Sequence, residues 1–164
     1  MKKLLAILAL LLIVAIGAYC LCNTEARRVR RRFDALAEAV SKESGEGNIA
    51  MVIKMETLGN LLDEKVTIRL REYPYEPQAS NSELVSLATR GRTFFKELSI
   101  SIVDVESTFD TKEYVFSRCT AKIKGTGKND QQIYDEFRHF SAELCKRDGK
   151  WRFCVFQEEN MLKR

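Results

Sequence analysis

The sequence predicts an α+β domain in which three helices pack on a curved antiparallel sheet, preceded by one N-terminal transmembrane helix. Three observations carry this. Residues Leu4 to Leu21 are apolar and without charge; from Thr24 to about Glu97 apolar residues mostly recur every three or four positions; from Leu98 onward they alternate. Set apart from that leader, the rest of the 164 residues is enough for one domain with a single core, so the boundaries are 1–23 and 24–164.

The leader follows Lys2 and Lys3, and eighteen helical residues rise about 27 Å against a hydrocarbon core of roughly 30 Å. A cleaved signal usually has a shorter apolar run that ends at a small-x-small site. Here Ala18-Tyr19-Cys20 and Cys20-Leu21-Cys22 are poor matches, and neither Cys20 nor Cys22 follows the small residue that a lipoprotein would carry. The segment therefore reads as an uncleaved signal anchor rather than a signal sequence. Arg27, Arg28, Arg30, Arg31 and Arg32 follow it at once and form a basic cluster within reach of lipid phosphates. Lys2 and Lys3 favour a cytoplasmic N-terminus while the arginines oppose it. The first positive flank is taken to dominate, which places the domain on the periplasmic side of a bacterial envelope.

The first helix runs from Thr24, with Val29, Phe33, Leu36 and Val40 as its apolar stripe. Gly45 is its expected stop, and Asn48 caps a second helix whose stripe, Met51, Met55, Leu58 and Leu62, is widened by Ile49, Val52 and Ile53. That wider stripe predicts deeper burial for the second helix than for the first. Val66, Ile68 and Leu70 alternate with polar residues as a strand that Pro74 and Pro77 end. Ser80-x-x-Glu83 is a capping box, and the third helix is expected from Asn81 to about Glu97, with Leu84, Leu87, Ala88, Phe95 and Leu98 on its stripe.

Everything beyond is strand. Val115, Ser117, Cys119, Ala121 and Ile123 give one strand a small apolar face opposite Arg118, Lys122 and Lys124. A turn within Gly125 to Asp130 leads to a strand over about Gln131 to Lys146, and Arg147-Asp148-Gly149-Lys150 turns into a last strand, Trp151 to Glu159. In the fourth strand Tyr134, Glu136, Arg138, Phe140, Ala142 and Leu144 share the face set against the helices. His139, the single histidine, then faces outward.

The net charge of +4 is modest and concentrated in the arginine cluster, which does not suit a nucleic-acid binder. Cys119, Cys145 and Cys154 lie on expected strands without metal-site spacing, so no metal and no cofactor is expected. One disulfide among them is open if the domain is exported. No phosphate loop, metalloprotease helix or nucleophile elbow occurs.

This element order, closing on Asp148-Gly149-Lys150-Trp151, resembles the NTF2-like (SnoaL-like) superfamily, whose cystatin-like cone wraps a curved sheet around its helices. The resemblance spans about Thr24 to the C-terminus. It implies either a ligand-binding or scaffold domain, some of which are membrane-tethered, or a small enzyme related to ketosteroid isomerases and polyketide cyclases. On the residues, Tyr134, Glu136, Arg138, Phe140, Trp151 and Phe153 are the expected pocket lining, with Glu136 and Arg138 neutralising each other near the mouth. Trp151 and Phe153 read foremost as core. The favoured function is a tethered, non-catalytic domain that binds a protein partner or a small apolar ligand, or forms a homodimer. The alternative is an enzyme with Glu136 or Asp104 as a carboxylate base.

Overall fold

The computed structural model describes residues 24–69, 77–128 and 133–159. The expected anchor lies outside the described residues. Among those residues no helix is long and apolar enough to cross a membrane.

Helix α1 covers 24–40 and is the helix of the core. Val29, Phe33, Leu36, Ala37 and Ala39 on it are all buried. It ends five residues before Gly45, because Lys42 exchanges two backbone hydrogen bonds with Leu98 (2.7 and 2.8 Å), and sheet pairing wins over the last helical turn. Helix α2, Asn48–Leu61, is capped by Gly47 rather than Asn48 and makes no side-chain cap bond. The expectation that α2 is the more buried helix is corrected: only Met55, Leu58 and Leu61 are buried, while Ile49 is 80% exposed. A wide apolar stripe needs a wide neighbour, and α2 turns one side to the core while Ile49, Val52 and Ile53 stay exposed.

Strand β1 (Leu62–Arg69) and the short β2 (Gln78–Ser80) precede α3 (Asn81–Arg92). The capping box forms as expected, since Ser80 accepts from the Glu83 amide and the Glu83 carboxylate accepts from the Ser80 amide. Helix α3 stops at Arg92, however, and Phe95 and Leu98 belong to β3 (Phe95–Phe109). β4 (Tyr114–Gly127), β5 (Ile133–Arg147) and β6 (Lys150–Glu158) complete one six-stranded sheet in the order β2-β1-β6-β5-β4-β3. The expected antiparallel meander is β3 to β6. β1 adds a parallel pairing to β6 that sequence order did not suggest.

Local chemistry fixes the turns and bends. Asp148 (φ 50°) and Gly149 (φ 74°) both occupy the left-handed region that a tight hairpin of matching twist requires. Gly125 is needed for space, because a Cβ there would lie 2.9 Å from the Phe95 ring. A bulge between Val103 and Glu106, with Asp104 at φ 53°, bends β3 around α1. Cys145 and Cys154 form a disulfide between β5 and β6 with their Cα atoms 6.1 Å apart. Cys119 stays a free, buried thiol, its pKa pushed up to about 12 by burial.

Candidate functional site

The inner face of the sheet and α1 meet tightly at one end and leave space at the other. Phe33 packs edge-on against Phe153 (centroids 5.0 Å apart), Phe153 stacks on Phe156 (5.2 Å), and Leu144, Val29 and Val115 fill the gaps. One turn beyond Phe33 the helix presents Ala37, and β4 presents Ala121 across the sheet. These small side chains do not reach each other. The result is a cavity of about 400 Å³ lined by Leu36, Ala37 and Val40 of α1, Ile68, Ile100, Ile102, Ala121, Ile123, Phe140 and Phe156, with Arg138, Gln157 and Glu158 as its polar members.

Its charged members are already paired. The Glu136 carboxylate accepts from Arg138 Nη2 (2.7 Å) and Nε (3.0 Å), and Glu158 accepts from Arg138 Nη1 (3.4 Å). The hydrogen bond and charge of Glu136 raise the Arg138 pKa above its usual value. Both side chains of the Glu136–Arg138 pair are about half exposed, as a pair at a mouth should be. A carboxylate so engaged is a poor proton acceptor, and among the described residues the lining offers no other acid or base apart from Glu158 on the same arginine.

The other expected site residues are spread through the fold. Phe140 lines the cavity, whereas Tyr134 lines a separate open groove with Lys42, Glu97 and Lys124 and packs on Phe95 (5.1 Å). Trp151 and Phe153, named with the pocket lining but read foremost as core, are sealed in the core at 3% and 0% exposure. The Trp151 indole N–H donates to Glu25 Oε2 (2.8 Å), Lys146 Nζ lies 3.4 Å from the same oxygen, and the Lys146 ammonium sits over the Trp151 ring. Burial raises the Glu25 pKa, but the Trp151 and Lys146 hydrogen bonds outweigh it and hold the carboxyl below its usual value. His139 faces outward with Nδ1 2.9 Å from Thr120 Oγ1, and Asp104 and Glu106 are exposed. Of the arginine cluster, Arg28 pairs with Glu25 (2.7 Å) and Arg30 with Asp34 (3.2 Å), Arg27 and Arg31 are exposed, and Arg32 is half-buried.

One polar cluster was missed by sequence reasoning. Arg92, 3% exposed, donates to the Ala39 carbonyl (2.5 Å) and is ion-paired with Glu46, whose other oxygen accepts from Lys54 (2.6 Å). Burial raises the Glu46 pKa, and the bond from Lys54 and the charge of Arg92 more than reverse this. The cluster ties α1, α2 and α3 together beside the cavity end. Its signal was Arg92 itself, a charge four residues after Ala88 on an apolar stripe.

No protein-family model and no curated protein sequence matches the chain. Solved structures do. A candidate scytalone dehydratase from Novosphingobium aromaticivorans superposes with a TM-score of 0.69 at 13% identity, over 85% of this chain and 85% of that one. A candidate dehydratase of the NTF2-like family from Streptomyces avermitilis gives 0.61 at 16% identity, over 85% of this chain and 98% of that one. Hexachlorocyclohexane dehydrochlorinase LinA type 2 gives 0.65 at 10% identity, over 83% and 84%. The described domain therefore has the NTF2-like cone fold, and at such identities the likeness speaks to fold alone.

Proposed function

We propose that this chain is a membrane-tethered NTF2-like domain whose cavity binds a small, neutral, apolar molecule, or an apolar side chain of a protein partner, without transforming it. The carrying observation is the cavity: among the described residues its lining is aliphatic and aromatic apart from Arg138, Gln157 and Glu158, and the arginine is engaged with carboxylates at the mouth. Such a lining recompenses burial of apolar surface and leaves a buried polar group of the ligand without a partner. The tether is the apolar run Leu4 to Leu21. The Cys145–Cys154 disulfide supports a domain on the oxidising, extracytoplasmic side of that tether.

The dehydratase and dehydrochlorinase names among the fold neighbours make catalysis the reading to test against. Incubating the full chain with a panel of apolar compounds, scoring thermal stabilisation, and recovering each stabilising compound decides between them. Binding with unchanged recovery is expected. A compound that is dehydrated or dehydrochlorinated in proportion to the protein present would replace this reading with an enzymatic one. Reporter fusions after Arg164, read in membrane and soluble fractions, test the tether and its direction separately.

A further inference from the structure

The described domain begins at the end of the cone opposite the cavity. Glu25 is held by Trp151 and Lys146, which places the first described turn of α1 beside the Asp148-Gly149 turn. The hairpin tip between β3 and β4 is at the same end, since the Lys146 amide donates to the Glu113 carbonyl (2.8 Å). So is the α2–β1 junction, where Asp63 accepts from Arg147 (3.3 Å). Three chain reversals and the first described turn of α1 thus form one base.

Two lengths then orient the domain. From Leu21, where the apolar run ends, to the pinned Glu25 is four residues, a reach of at most about 14 Å. The cavity residues Leu36 to Val40 lie a further 11 to 15 residues along α1, or about 17–23 Å. Arg27, Arg28 and Arg31 are exposed on the first described turns of α1, and Lys112 and Lys150 are exposed on the turns at the same end. The base also carries Asp110, Glu113 and Asp148, so the attraction rests on the α1 arginines nearest the tether rather than on a uniform field.

We infer that the base of the cone rests on the phosphates of anionic lipid headgroups and that the cavity opens on the far side, towards water. The ligand or partner side chain then enters from the aqueous phase and is not drawn laterally out of the bilayer. This inference rests on the tethered reading proposed above.

The test uses the full chain reconstituted in phosphatidylcholine vesicles with and without phosphatidylglycerol, with a fluorescent amino acid incorporated at Lys112 on the base or at Lys128 beyond the other end of β4. These two sites flank the 14 residues of β4, up to about 45 Å of strand. Lipids bearing a quencher on the headgroup should quench the probe at Lys112 and leave that at Lys128 bright, and removing phosphatidylglycerol should lessen the quenching. Equal quenching at both sites, stronger quenching at Lys128, or no quenching at either while the chain floats with the vesicles would overturn the inference and leave the tether standing. Quenching at Lys112 that ignores lipid charge would overturn the phosphate contact. Failure of the chain to float with the vesicles at all would sink the tethered reading itself.

Discussion

The two ends of the cone are made from the same α1 and the same four long strands, yet one is packed solid and the other holds about 400 Å³ of space. At the base, Phe33 and Phe153 meet ring to ring and Trp151 closes the end with its N–H on Glu25. At the mouth the corresponding places are taken by Ala37 and Ala121, and polarity is displaced to a paired rim. Side-chain volume marks the difference: aromatic rings fill the base, and alanines line the mouth. The base is the packed part of the core, and the mouth holds the cavity proposed above to take a ligand.

Substitutions should separate these roles, and the largest effect is expected at the base. Phe33→Ala removes a ring that is 1% exposed and should cost about 3–5 kcal/mol, read as a shift in the urea midpoint. A smaller cost would mean that the base is looser than its contacts imply.

Next comes the buried ion cluster near the cavity end. Glu46→Gln leaves Arg92 buried without its counter-charge and should cost about 3 kcal/mol. The same carboxylate gives a pH dependence of known sign. Its folded pKa lies below the unfolded value, so its contribution is present above about pH 4.5 and is lost as pH falls through the folded pKa. Acid titration of the unfolding midpoint should therefore show a loss in wild type below that pH that Glu46→Gln lacks. Identical acid profiles would remove Glu46 from the account.

The smallest effect belongs to the rim. Arg138→Gln breaks an exposed pair and should change stability by no more than about 1 kcal/mol in a denaturant melt, while apolar-ligand binding persists. If binding disappears with the fold intact, the arginine is a ligand contact and the neutral-ligand reading is wrong.

Much of this was legible in the sequence, and the exceptions are physical. Alternation placed Val115 to Ile123 and Ala142 to Leu144 on the inner face, because strand period is fixed by the pleat. Helical period was a weaker guide. It carried α3 through Phe95 and Leu98, whose spacing fits a helix although they pair with Gly127 and Gly125 of β4. It also ranked α2 above α1 in burial, since a stripe states which side is apolar and not how much neighbour covers it. The parallel β1–β6 contact joins distant segments and leaves no local mark. The cavity itself was the least legible feature: Ala37 and Ala121 look like any core alanines, and a void is recorded in what their partners across the sheet fail to reach.

The most direct measurement is titration of the neutral dye N-phenylnaphthylamine into the full chain and into Ala37→Phe. The wild type should show a saturable rise in emission. The variant, which fills the cavity from α1 and should lose no more than about 1–3 kcal/mol of stability, should show none. Equal saturable binding by both proteins would place the apolar site elsewhere and contradict the account.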